Sequence, residues 1–131
     1  MALRCLIVDD SSHFLTAARA LLEREGIAVV GVASTSAEAL RRAEELRPDV
    51  ALLDIDLGNE SGFELARRLA SETSLEPSSV ILISTYAEED LVDLIAASPA
   101  AGFLSKSHLS ARAIREILGS TGDAARTEPS P

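Results

Sequence analysis

Aromatic side chains are scarce in this 131-residue chain, at 3% of the sequence, so any core must come from Leu, Ile, Val and Ala. There is one cysteine, Cys5, inside an apolar run. It is expected as a buried thiol in a reducing compartment, not as half of a disulfide. Basic residues are few: 12 Lys and Arg stand against 21 Asp and Glu, for a formal net charge of −9. Phosphate backbones need a basic face, so direct nucleic-acid binding by this chain is not expected. No apolar stretch reaches bilayer-spanning length and the N-terminus lacks a signal-peptide pattern, so the expected setting is the cytoplasm, away from membranes. Internal repeats are also lacking. What is abundant is apolar mass, 47% of residues, enough for one domain with a core of useful size.

That mass is distributed in alternating short runs and helical stripes. Leu3 to Val8 reads as a buried strand ending in Asp9-Asp10. Ser11 or Ser12 can cap a helix presenting Phe14, Leu15, Ala18, Leu21 and Leu22, with Gly26 placed to end it. Ile27 to Ala33 is a second strand, and Thr35 with Glu38 forms a capping box for a helix that Pro48 stops. Val50 to Leu53 runs into Asp54, followed by Ile55, Asp56 and a loop over Leu57 to Glu60. Ser61 with Glu64 opens a third helix, and Ser79 to Ile83 is a fourth strand ending in Ser84-Thr85. A fourth helix from about Ala87 is expected to bury Leu91, Leu94 and Ile95. Gly102 to Ser105 is a fifth strand ending in Lys106, and a last helix turns Ala111, Ile114, Ile117 and Leu118 inward. This alternation predicts a flavodoxin-like α/β three-layer sandwich, with a parallel sheet of order 2-1-3-4-5 and five helices. Residues 1–119 make the domain, and 120–131, with nothing to bury, are expected to be a disordered tail or linker.

In that order strands one, three, four and five are neighbours. Their carboxyl ends bring Asp9, Asp10, Asp54, Ser84 and Lys106 to one rim. One polar residue there is ordinary solvation of a strand end, but a set on four adjacent strands points to chemistry. Crowded carboxylates repel unless a cation lies among them, and hard oxygen ligands of this kind suit Mg²⁺. A carboxylate can also be a nucleophile towards phosphorus, with charge neutralisation around the phosphoryl oxygens supplied by the lysine and the hydroxyl.

Ile-Val-Asp9-Asp10, Leu-Leu-Asp54-Ile-Asp56, Ser61-Gly62, Leu-Ile-Ser84-Thr85 and Gly-Phe103-Leu-Ser-Lys106 together resemble the receiver domains of bacterial two-component response regulators, over roughly residues 3 to 118. The stretch from Ala37 to Asp49 is similar to the subfamily with helix-turn-helix DNA-binding outputs. The resemblance implies that Asp54 accepts a phosphoryl group from a sensor histidine kinase. It implies Mg²⁺ on Asp9, Asp10, Asp54 and the backbone carbonyl of Asp56, and phosphoryl contacts from Ser84, Thr85 and Lys106. Ser84 and Phe103 would form the conformational switch, and Asp56 and Tyr86 would tune the phosphoryl lifetime. It also implies that partners include a homodimer through the fourth helix, fifth strand and last helix, and that the chain is a switch, not an enzyme. Gly58 and Ser107 stand where the family often has proline, and Thr85 where it often has a smaller residue.

Two other readings fit parts of the pattern. Asp54-Ile55-Asp56 matches the Asp-x-Asp motif of haloacid-dehalogenase-like phosphatases, with Asp54 as nucleophile and Asp56 as general acid. That motif belongs on the first strand, with acids late in the chain, and here the acid pair comes first. A receiver-like module that is never phosphorylated is the other, opposed by the intact acids, Ser84 and Lys106. His13 and His108 are read as exposed side chains, not ligands.

Overall fold

A computed structural model of the chain describes residues 2–126. Along the chain the elements are β1 (Arg4–Val8), α1 (Ser12–Arg24), β2 (Ala28–Ala33), α2 (Ser36–Leu46) and β3 (Val50–Asp54). A two-residue hairpin follows, β4 (Asp56–Leu57) and β5 (Glu60–Ser61), then α3 (Gly62–Glu72) and β6 (Val80–Ser84). The short α4 (Val92–Ala97), β7 (Gly102–Ser105) and α5 (Ala111–Arg126) complete it. The main sheet is parallel throughout, in the order β2-β1-β3-β6-β7. With the hairpin strands set aside, this is the 2-1-3-4-5 order expected from the sequence.

Strand residues alternate between two cores, as the pleat requires. Leu6, Val8, Ala51, Leu53, Val80, Leu82 and Phe103 pack with α2, α3 and the segment around α4. Cys5, Ile7, Val50, Leu52, Ile81 and Ile83 pack on the other face with α1 and α5. Burying a Leu or Ile fully contributes about 2 kcal/mol, and Leu6, Ile7, Leu52, Leu53, Ile81, Leu82 and Ile83 are all fully buried. The strands therefore read as continuous apolar runs because both faces are covered.

Local signals set the helix ends. Ser11, not Ser12, is the cap of α1, accepting from the Phe14 N–H, and Gly26 follows the helix at φ 93°. Thr35 caps α2 through the Glu38 N–H, while the Glu38 carboxylate accepts from the Ser34 N–H. Ser61 caps α3 through the N–H groups of Phe63 and Glu64. The loop expected at Leu57–Glu60 is a hairpin with Gly58 first in its two-residue turn, at φ 75°. A proline cannot adopt that angle. Glu60 then reaches across to accept from the Ser36 N–H at 2.7 Å, tying the hairpin to the start of α2.

The fourth helix departs from expectation. It is a single short helix preceded by a 3₁₀ turn at Glu88–Asp90, and Leu94 is 53% exposed instead of buried. The apolar period overstates burial here because α4 has no side-chain cap and too few turns to seat every apolar residue. α5 continues past Gly119, where the sequence ended it, as far as Arg126. Residues 127–131 of the expected tail lie outside the described residues.

Cys5 has no exposure, and burial pushes its thiol up to about 12. Folded protein is expected to resist alkylation at pH 8, with full labelling only in denaturant. Fast labelling of the native chain would contradict that burial.

Candidate functional site

Four parallel strands end side by side, and their next residues meet. Asp9 follows β1 and is fully buried, Asp54 ends β3 at 6% exposure, and Ser84 ends β6 buried. Lys106 follows β7 on a 3₁₀ turn over Lys106–His108. Its Nζ lies 2.6 Å from Asp9 Oδ2 and 3.3 Å from Asp54 Oδ2. The second contact is a hydrogen bond from the ammonium, whereas Asp9 Oδ2 has the ion pair but no donor aligned on it. Asp9 Oδ1 accepts from the Ser11 N–H at 2.8 Å, and Asp54 Oδ1 accepts from the Asp56 N–H at 3.2 Å.

Asp10 is exposed at the same rim. Carboxylate oxygens of Asp9, Asp10 and Asp54 all lie within 4.8 Å of one another. The Lys106 ammonium bridges two of these three carboxylates, Asp9 and Asp54. Burial pushes Asp54 up to about 6, with the N–H of Asp56 opposing, the charge of Asp9 adding to the rise and Lys106 opposing. For Lys106, burial works against the charge, but the pairing with Asp9 and the charge of Asp54 outweigh it and hold the ammonium above its ordinary range. Clustered hard oxygens, an excess of negative charge and a buried carboxylate oxygen without an aligned donor all fit a divalent cation.

The remaining expected residues surround this cluster unequally. The Asp56 side chain is exposed, and its Oδ1 accepts from the Gly58 N–H at 3.2 Å. Ser84 Oγ accepts from the Tyr86 N–H at 2.8 Å, which closes the backbone after β6. By pleat alternation Ser84 shares its side of the sheet with Val80 and Leu82, whereas Asp54 shares the opposite side with Val50 and Leu52. Thr85 is exposed and Tyr86 is 57% exposed. Phe103 is buried in β7 on the α4 side, beside a pocket of about 350 Å³ that it lines with Ala87, Glu88 and His108. His13 and His108 are exposed, as read.

The sequence pattern marks Gly62 as part of a motif but does not show its packing role. A Cβ there would lie 2.1 Å from the Asp54 carbonyl oxygen and 2.7 Å from Ile55 Cα. The start of α3 packs directly on the end of β3, which a lone glycine in a Ser-Gly pair does not reveal.

The family comparison decides what such a rim belongs to: the family model described as the response regulator receiver domain matches residues 5–118. The chain belongs to the response regulator receiver domain family. Response regulator GacA of Pseudomonas viridiflava is 34% identical over 106 residues, covering 79% of this chain and 48% of that protein. Transcriptional regulatory protein LiaR of Bacillus subtilis (strain 168) is 30% identical over 128 residues, 97% of this chain and 58% of that one. A CheY-like response regulator receiver domain protein from Methanospirillum hungatei JF-1 superposes with a TM-score of 0.74 at 28% identity, covering 98% and 99% of the two chains. The chain spans about half the length, or less, of the first curated relatives it matches. Membership removes the phosphatase reading, since the Asp-x-Asp stretch of this receiver begins at the end of β3, with the acid pair ahead of it just after β1. Receivers of this family bind Mg²⁺ at an acidic pocket, and the Asp9, Asp10 and Asp54 cluster is the candidate pocket here. Among the described residues, no helix is long and apolar enough to cross a membrane.

Proposed function

We propose that this receiver is a phospho-acceptor switch in which Asp54 takes a phosphoryl group from a phosphohistidine of a sensor histidine kinase. The observation that carries the reading is the lysine bridge: Lys106 Nζ lies within reach of both Asp9 Oδ2 and Asp54 Oδ2. An Asp54 oxygen attacks phosphorus, the O–P bond forms as the P–N bond to the kinase imidazole breaks, and the nitrogen keeps the electron pair. Asp9, Asp10, Asp54 and the backbone carbonyl of Asp56 are the residues to hold Mg²⁺, which when bound supplies positive charge to the phosphoryl oxygens. Lys106 neutralises a further oxygen, and the Ser84 hydroxyl and the Thr85 segment contact the group once Ser84 leaves the Tyr86 N–H. Phe103 then turns within the space beside it, reshaping the face of α4, β7 and α5. Tyr86, Val92 and Leu94, all more than half exposed, lie on or near that face, which is the surface for a homodimer or an output partner. Asp56 and Tyr86 tune the lifetime of the phosphoryl group. Output, including transcription through a DNA-binding domain outside this chain, follows from the switch in a cytoplasmic setting, and the receiver itself is not the enzyme.

The test is mass spectrometry of intact protein after incubation with a small phosphodonor and Mg²⁺. One added phosphoryl group is expected in the wild type and none in Asp54→Asn. Uptake by the Asn variant would falsify the acceptor assignment, and steady turnover of a phosphate ester would contradict the switch.

A further inference from the structure

Lys106 is held by more than carboxylates. Its Nζ lies 4.4 Å from the centroid of the Phe14 ring, close enough for attraction between the ammonium and the negative face of the ring. Phe14 is half-buried in the first turn of α1 and reads in the sequence as one more member of an apolar stripe. Its position is tied back to the acids. Asp9 Oδ1 accepts from the Ser11 N–H, and Ser11 Oγ accepts from the Phe14 N–H at 3.2 Å. The ring meets Lys106, and Lys106 Nζ returns to Asp9 Oδ2. Four contacts therefore close on themselves around the rim, with Asp54 beside them.

A lysine on a four-carbon stem is otherwise free to swing into solvent; here its side chain is 15% exposed. An aromatic face suits this task better than another acid. It attracts the charge without offering an acceptor atom, so the N–H groups stay free to re-aim from the Asp54 carboxylate to a phosphoryl oxygen. A leucine would fill similar space with no attraction.

We infer that Phe14 is a positioning residue for phosphoryl uptake, holding the Lys106 ammonium beside Asp54 through the face of its ring. The inference rests on the phospho-acceptor reading. Its test uses the full chain with acetyl phosphate and Mg²⁺, following phosphoprotein by intact mass. Wild type is compared with Phe14→Leu, Phe14→Tyr and protein carrying pentafluorophenylalanine at position 14, which keeps the ring and inverts the charge on its face. The uptake rate is expected to fall about fivefold in the leucine and pentafluoro proteins and to hold in the tyrosine variant. In unphosphorylated protein the Lys106 ε-methylene protons are expected upfield of ordinary lysines by NMR, and to return to ordinary positions in Phe14→Leu. A pentafluoro protein phosphorylated at the wild-type rate overturns the inference, as do ε-methylene signals that ignore the leucine substitution. Wild-type protein that takes up no phosphoryl group overturns the acceptor reading instead, and the ε-methylene signals then decide the contact alone.

Discussion

Gly62→Ala is expected to destabilise the domain by about 3 kcal/mol or more, and to disturb the end of β3 with it. Position 62 is the first residue of α3, where helix propensity alone favours alanine by about 1 kcal/mol. Packing opposes that with greater force. The new methyl would lie 2.1 Å from the Asp54 carbonyl oxygen and 2.8 Å from its carbonyl carbon. These neighbours are backbone, so no rotamer change relieves the overlap. Either α3 retreats, straining the bond from the Gly62 N–H to the Ile55 carbonyl at 2.9 Å, or the end of β3 shifts. Gly58→Ala is the useful comparison. That position has φ 75°, and its added methyl would meet only Asp10 Oδ2 at 3.3 Å, so a loss of about 1 kcal/mol is expected. Urea unfolding of the three proteins measures both. The sign is decisive: a Gly62→Ala protein as stable as wild type would mean that α3 does not pack on β3 in this way.

The second large effect concerns the charge on Asp54. Its folded value of about 6 lies above the ordinary 3.8, so between those limits the metal-free fold binds more protons than the unfolded chain. Stability is then greatest with Asp54 protonated and falls as pH rises from about 4 through about 6. The loss is on the order of 2 kcal/mol after allowance for solvent at the rim. Asp54→Asn removes this penalty. In metal-free buffer at pH 7 the variant is expected to be more stable than wild type, and to lose most of the decline across that window. Mg²⁺ should reverse the ranking, because an ion at 100 times its Kd stabilises the fold that binds it by about 2.7 kcal/mol. The gain should be largest in wild type and small in Asp9→Asn, Asp10→Asn and Asp54→Asn. Denaturant midpoints at pH 5 and pH 8, with and without Mg²⁺, provide the measurement. Equal midpoints for wild type and Asp54→Asn in metal-free buffer at pH 8 would contradict the crowding of charge.

The sheet and the rim residues were legible in the sequence because their signals are local and repeated. Each buried strand is an apolar run, and four of the five runs stop at a polar residue that the rim gathers. Asp9, Asp54 and Lys106 could be assigned to one place from strand order alone. What could not be read depends on side chains meeting across the chain with no pattern to announce them. The Phe14 ring over Lys106, the Glu60 carboxylate on the Ser36 N–H and the Glu25 carboxylate on the Ala111 N–H are all of this kind. Gly62 belongs to a motif, but its close approach to Asp54 comes from the start of α3 packing on the end of β3. Leu94 departs from its helical period for a different reason: the period predicts a buried stripe, and α4 is too short to seat it.

The place of β7 at the edge of the sheet has a consequence for how the protein is made. Synthesis runs from the N-terminus, so residues 1–84 deliver Asp9, Asp10, Asp54 and the Ser84 hydroxyl while Lys106 is still to be translated. Until β7 pairs with β6, the nascent rim carries its acids without the ammonium that bridges two of them. The strand that completes the sheet is also the one that brings the counter-charge. A ribosome-bound chain ending before Gly102 should therefore depend on divalent cations for compaction more steeply than the released protein does.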